Sequence, residues 1–313
     1  MISAPHISVV ICTRDRPDDA RRCLESLAGV AYPHWDIALI DQSTDLRTRD
    51  VARGFARSLP HLAYHHTNEV GLSRARNKGV AATGGEIVAF LDDDCTVPPD
   101  WLERMAAAFA RHPNAVIVYG AVRAAPHDPA ESYVLVYPVA EERTLRGRAA
   151  RARARGIGAA MYLRRAAIGR VGPFDIHLGA GADLFRSMED ADYAYRCLAA
   201  GLEVVESPDI HIEHHGLRSY GNGDAARETR EQAHAEAAMN MKLLRCGDLS
   251  ALPLTLTRGL RQLHFISWRH LIRRDGPTGL GRIAMYLRGL YDSFLLPVDR
   301  RRRLYGSARD HAP

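Results

Sequence analysis

The sequence predicts an α/β fold with a mostly parallel sheet and helices on both faces. Three observations lead there. Over the first 120 residues, short apolar runs alternate with stretches whose apolar residues recur at i, i+3, i+4 and i+7. Glycine and proline punctuate the junctions, as at Gly84-Gly85 and Pro98-Pro99. Three of the apolar runs end in polar or acidic residues, at Thr13, at Asp41 and at Asp92-Asp93-Asp94. In a parallel sheet such ends share one edge, where open α/β sheets bind ligands.

Ile7 to Cys12 reads as the first strand. Pro17 suits the first turn of the helix that follows, with Ala20, Cys23, Leu24 and Leu27 on one apolar face. Ile37 to Ile40 is the second strand, and Val51, Phe55 and Leu59 mark one side of the next helix. Leu62 to His65 is a short third strand. Gly71-Leu72-Ser73 opens a helix with Ser73 as the expected N-cap, running to about Thr83. Ile87 to Leu91 is a buried strand, followed by a helix carrying Leu102, Met105, Ala106 and Phe109 and a strand at Val116 to Tyr119.

The pattern breaks over residues 121–158, where Pro126, Pro129 and Pro138 intervene. Arg143, Arg146, Arg148, Arg151, Arg153 and Arg155 then form a basic run. The expectation for 143–156 is a loop that is mobile when empty and ordered over an anionic substrate. Gly158 to Arg164 resumes as a strand, and a glycine-rich loop at residues 178–182 precedes a helix that starts near Glu189 and stops at Gly201. Val204-Val205 and Ile210 to His214 read as two further strands. Residues 224–246, 258–274 and 280–296 read as helices. The expected organisation is therefore a nucleotide-binding half (1–120), a second, acceptor-side half of the same domain (121–222) and a helical extension (223–313).

Composition narrows the class. A 46% hydrophobic and 25% charged chain is an ordinary globular protein. Net charge is +5, and with Lys78 and Lys242 the only lysines the positive charge is almost all arginine, read mainly as a GC-rich, bacterial genome. Cys12, Cys23, Cys95, Cys197 and Cys246 lack metal-type spacing and read as free thiols of a reducing compartment. No signal-peptide pattern precedes the first strand and no apolar run is long enough to span a bilayer, so the expected location is the cytoplasm. The C-terminal stretch interleaves Phe265, Trp268, Leu271 and Ile272 with Arg261, Arg269, Arg273 and Arg274. It reads as a helical lid with an arginine-rich outer face, with peripheral contact to an anionic membrane as the alternative. No nucleic-acid-binding module accompanies the charge. A glycine-rich dinucleotide fingerprint and a phosphate-loop lysine sequence are both missing after the first strand, which excludes the usual dehydrogenases and nucleoside triphosphatases.

The acidic strand end carries the chemistry. Three adjacent carboxylates repel one another and call for a counter-charge; hard Mg²⁺ or Mn²⁺ takes oxygen ligands and keeps open positions for phosphates. Placed beside Val9 to Arg16, Ile40 to Asp45, Gly71 to Gly79 and Glu189 to Asp192, with Pro208 six residues before His214, the chain resembles the family 2 glycosyltransferases over residues 7–216. The resemblance implies the GT-A fold: a Rossmann-like nucleotide-binding sheet, a mixed acceptor-side part and here a helical C-terminal extension.

It also implies an inverting, metal-dependent transfer from a nucleoside-diphosphate sugar, a UDP-sugar such as UDP-GlcNAc or UDP-hexose, to a hydroxyl of a small-molecule, glycan or lipid-linked acceptor. By this resemblance Asp41, Thr13, Arg14, Asp92 and Asp93 seat the nucleotide sugar, with Arg74 or Arg76 on nucleoside or phosphates. Asp94 ligates Mn²⁺ or Mg²⁺ with His214, His211 being the competitor, and Asp190 is the general base. Two other readings stay open: a non-catalytic GT-A domain that binds a sugar nucleotide or a partner, and a nucleotidyltransferase. The second lacks its usual glycine- and lysine-rich triphosphate loop.

Overall fold

The computed structural model describes residues 4–154, 156–264, 278–306 and 310. Its first half winds as β1 (Ile7–Thr13), α1 (Pro17–Leu27), β2 (Trp35–Asp41), α2 (Arg47–Gly54), β3 (Leu62–His66), α3 (Leu72–Ala82) and β4 (Ile87–Asp92). The short β5 (Cys95–Thr96), α4 (Trp101–Arg111) and the long β6 (Ala115–Ala124) follow. The second half holds β7 (Ser132–Val134), β8 (Arg143–Leu145), β9 (Met161–Arg164), α5 (Ala166–Val171), α6 (Glu189–Ala199), β10 (Glu203–His214) and β11 (Leu217–Ser219). Three helices end the described chain, α7 (Asp224–Arg245), α8 (Ala251–His264) and α9 (Thr278–Asp292), with a small β12 (Val298–Asp299) and β13 (Leu304–Tyr305) ribbon.

Among the described residues the main sheet has nine strands in the order β3-β2-β1-β4-β9-β6-β10-β5, with β8 also on β10. β3, β2, β1 and β4 are parallel; β9 then runs antiparallel to both β4 and β6. The parallel register pairs Thr13 with Asp41 and Cys12 with Asp92, so the polar strand ends fall on one edge. Period-two alternation splits the core. Ile7, Val9 and Ile11 pack with Leu24, Trp101 and Met105 on one face, while Val10, Val88 and Phe90 pack with Ala75, Phe174 and Tyr193 on the other.

Several elements differ from the sequence expectation. α2 stops at Gly54, and Leu59 is buried from the turn beyond it. Ser73 does not cap α3: Gly71, at φ 129°, holds that place, and the Ser73 hydroxyl donates to the Leu178 carbonyl at 2.6 Å. The expected pair of strands around Pro208 is the single β10, with an irregularity between Glu206 and His211 that absorbs the proline.

The basic run is tied down by ion pairs, although among its described arginines only Arg151 is buried. β8 extends the sheet, Arg143 donates to buried Glu206 at 2.8 Å, Arg146 to Glu203 at 2.8 Å, and Arg151 lies 3.7 Å from Asp248. Arg155 and the aromatic-basic stretch from Phe265 to Arg274 lie outside the described residues. All five cysteines are unpaired thiols.

The extension is locked to the sheet domain through charge. Lys242 of α7 is fully buried, with its Nζ 2.6 Å from Asp175 and 2.7 Å from Asp192 of α6. The Tyr305 N–H donates to the same Asp175 at 2.8 Å, and Arg196 donates to Asp192 at 2.9 Å. Deleting one member of such a buried set strands its partners' charge, which costs about 3–5 kcal/mol. Lys242→Ala should therefore destabilise the protein by about that much in denaturant unfolding, whereas Lys78→Ala, at an exposed position, should stay within about 0.5 kcal/mol.

Candidate active site

A cavity of about 810 Å³ opens between the sheet edge and the C-terminal helices. Of the residues singled out in the sequence, Arg14, Arg76, Asp92 and Asp190 are in its wall. Thr13, Asp41, Asp93, Asp94 and His214 are buried at the neighbouring strand ends, and Arg74 is half-buried without a polar partner among the described residues.

Arg76 organises the wall. It is 2% exposed, its Nη1 lies 2.8 Å from Glu189 and its Nη2 3.3 Å from Asp92. Its guanidinium lies 5.5 Å from the Phe90 ring centroid and 5.7 Å from that of Phe174. Burial disfavours the cation, yet Glu189 and Asp92 more than offset this and hold its pKa above the usual arginine value. Burial, reinforced by the charge of Asp190, pushes Glu189 up to about 7 against the pull of Arg76.

Asp190 stands in the first turn of α6, half-buried and facing the cavity. Its Oδ2 accepts the Gly158 N–H at 2.8 Å and its Oδ1 accepts its neighbour Ala191's N–H at 2.7 Å. Burial raises its pKa, while Arg76 and those two N–H groups work in the opposite direction. Each oxygen keeps a lone pair for a further partner. Met188, just before the helix, has a left-handed backbone at φ 72°, which sets the turn that aims this carboxylate.

The acidic strand end divides its work. The Thr13 hydroxyl donates to Asp93 at 2.7 Å, and Arg16 sits 3.3 Å from both Asp93 and Asp94. Burial dominates at Asp93 and pushes it up to about 7. Asp94, equally buried, is held at about 2 by the hydrogen bond and charge of His214, helped by Arg16. Asp41 is fully buried; the Tyr64 hydroxyl and the Ser43 N–H each donate to it at 2.8 Å.

His214 meets Asp94 at 3.2 Å through Nε2, while its Nδ1 donates to the Leu135 carbonyl at 3.0 Å. With Nδ1 carrying the proton, neutral Nε2 and Asp94 Oδ1 present two lone pairs to each other, so a proton or a cation must lie between them. A Cβ on Gly216 would fall 2.4 Å from Asp94 Oδ2 and 2.8 Å from His214 Nε2, so glycine keeps that space clear. Asp94 and His214 fit a divalent ion. Cys95 lies within the same cluster, but burial keeps its thiol protonated and its sulfur is a poor match for a hard cation. His211 lies upstream on β10, opposite Ala121, with Arg104, Arg123 and Asp100 as its charged surroundings.

The Glycosyl transferase family 2 profile matches residues 8–175, more than half of the chain. The chain belongs to that family. This glycosyltransferase is 24% identical over 233 residues to glycosyltransferase AglE of Haloferax volcanii, 69% of each chain. It is 35% identical over 123 residues to succinoglycan biosynthesis protein ExoM of Rhizobium meliloti, a match that spans 38% of this chain and 39% of ExoM. Among solved structures it resembles mannosyltransferase PcManGT of Pyrobaculum calidifontis in complex with GDP-Man and Mn²⁺ (TM-score 0.60, 16% identity, 93% of this chain and 88% of that one). It also resembles residues 1–349 of S. aureus TarS in complex with UDP-GlcNAc (TM-score 0.56, 16% identity, 91% and 81%). These likenesses establish the GT-A fold of the glycosyltransferase.

Four features of its site escaped the sequence reading: Arg16 on two carboxylates, Glu189 on Arg76, the Gly158 N–H on Asp190, and the Gly216 gap. Arg16 follows from the register, since its turn leaves β1 beside the end of β4. The other three depend on contacts between distant segments and leave no local signal.

Arg76→Met should destabilise the glycosyltransferase by about 3–5 kcal/mol at neutral pH, because Asp92 and Glu189 lose their counter-charge. The loss should shrink toward pH 5, where Glu189, raised to about 7, takes up a proton. Denaturant midpoints at the two pH values check both statements.

Proposed function

We propose that the enzyme moves a sugar from a nucleoside-diphosphate sugar, of the UDP-sugar class such as UDP-GlcNAc or a UDP-hexose, to an acceptor hydroxyl with inversion. The observation that carries this reading is Asp190: a carboxylate in the cavity wall, oriented by two N–H groups, across from the arginine- and aspartate-lined sheet edge. It accepts the acceptor's proton as the oxygen attacks the anomeric carbon. The bond to the diphosphate breaks, and its electron pair leaves with the diphosphate. One base suffices for a single displacement. Arg14 and Arg218, both in the wall, would offset charge on the leaving group; Asp92 in the same wall, with Thr13, Asp41, Arg74 and Asp93 behind and beside it, would form the nucleotide-sugar seat.

Asp94 and His214 would hold Mn²⁺ or Mg²⁺, which supplies Lewis-acid neutralisation of the diphosphate. Support for the donor class comes from the GT-A relatives, one bound to UDP-GlcNAc and one to GDP-Man with Mn²⁺.

Asp190→Asn should bind donor with unchanged affinity yet lose about 10²–10⁴ in kcat; unchanged turnover would remove Asp190 from the mechanism. The base works ionised and burial raises its pKa. The rate should therefore fall as pH drops through a value above the ordinary aspartate range, and this acid limb should be absent in Asp190→Asn. A thermal shift induced by Mn²⁺ should weaken about 10-fold or more in apparent affinity in His214→Ala and Gly216→Ala, and persist in His211→Ala. Loss in His211→Ala alone would reassign the ligand.

A further inference from the structure

α8 and α9 both turn large apolar side chains toward the outside. The inner face of α8 carries Ala251, Thr255, Arg258 and Gln262, of which Arg258 and Gln262 line the cavity. The inner face of α9 carries Arg282, Tyr286 and Gly289. The Tyr286 hydroxyl donates to the Thr255 carbonyl at 2.8 Å, and Arg282 donates to Gln262 at 3.1 Å. A Cβ on Gly289 would fall 2.1 Å from the His234 carbonyl, so α9 lies tight on α7.

These contacts fix which sides turn outward, and those sides are apolar. Leu252, Leu256 and Leu260 recur every four residues along α8 and are 48–63% exposed. Leu280, Leu287 and Tyr291 follow at i, i+7 and i+11 along α9, at 59–70%, with Phe294 and Leu295 just beyond. Single exposed leucines need no explanation, but two adjacent helices that each turn a row of large apolar side chains outward do.

Charge identifies the occupant. Residues 249–313 hold twelve arginines and four aspartates, with no lysine or glutamate. The preceding 248 residues hold three more acidic than basic side chains, so the basicity of the protein resides in this extension. Arg288, Arg300, Arg301 and Arg302 are exposed on the elements that carry or follow the leucines. We propose that the outer face of α8 and α9 docks on an anionic lipid bilayer, leucines in the acyl boundary and arginines at the headgroups.

A second copy of the chain is the poorer occupant, because a two-fold pairing of this face would bring like-charged arginines together. Among the described residues no helix is long and apolar enough to cross a membrane, so the contact is peripheral. It would place the cavity wall formed by α8 about one helix diameter, ~10 Å, from the lipid surface.

Flotation of the full-length protein with phosphatidylcholine vesicles, with and without phosphatidylglycerol, tests this. The protein should float with the anionic vesicles and be released by high salt. Leu256→Glu with Leu260→Glu, and separately Leu287→Glu, should cut partitioning about tenfold or more at an unchanged melting temperature. No flotation of the unsubstituted protein overturns the proposal, and so does flotation that the leucine substitutions leave intact. A dimer in size-exclusion chromatography that the same substitutions dissociate, without vesicle binding, assigns the face to a second copy.

Discussion

A buried guanidinium is the constraint on which the rest of the structure depends. Arg76 leaves α3 inside the first half of the chain and ends between Asp92 of β4 and Glu189 of α6, which are 97 residues apart. Burying a lone cation is prohibitively costly, so this side chain is tolerated only where both carboxylates reach it together. The first half can close its sheet edge only when the second half delivers Glu189. Phe90 and Phe174, one from each half, meet edge to face at 5.2 Å, and the cation lies against both. Gly158 must lack a side chain, because a Cβ there would fall 2.4 Å from the Arg76 guanidinium. The site is thus assembled by a buried electrostatic requirement rather than laid upon a finished scaffold.

What was legible in the sequence follows from this. β1, β2 and β4 announce themselves because each is buried on both faces and bounded by breakers, and their parallel register makes the polar ends coincide. The chemistry of those ends was equally legible, since three adjacent aspartates need a counter-charge wherever they lie. Which positive group answers was not. Arg16 and His214 both reach Asp94, one from 78 residues upstream and one from 120 downstream, and no periodicity encodes such distances. The arginines of the 143–151 stretch were legible only in part: they are exposed apart from Arg151, but their acidic partners left no local signal. They look solvated in isolation, yet Glu203, Glu206 and Asp248 wait for them on β10 and beyond α7.

The helical extension shows a different limit. The sequence reading begins its first helix here at residue 258, whereas α8 starts at Ala251 and carries leucines every four residues; the expected part beyond residue 264 lies outside the described residues. Pattern alone cannot say whether the apolar face looks inward. The polar groups decide it: Thr255 and Gln262 engage Tyr286 and Arg282 of α9, and the leucines are left outside.

The acidic first turn of α6 brings these threads together. Glu189, Asp190 and Asp192 read singly as ordinary partners for a helix dipole. In the fold they point to three different places. Glu189 is anchored by Arg76 toward the sheet, and Asp192 is anchored by Arg196 and Lys242 toward the extension. The residue between them is held only by backbone N–H groups and faces the cavity. Successive residues of a helix are turned about 100° apart, so anchoring the outer two leaves the middle carboxylate little freedom of direction. Two of the three charges hold the turn in place, and the third is left facing the cavity.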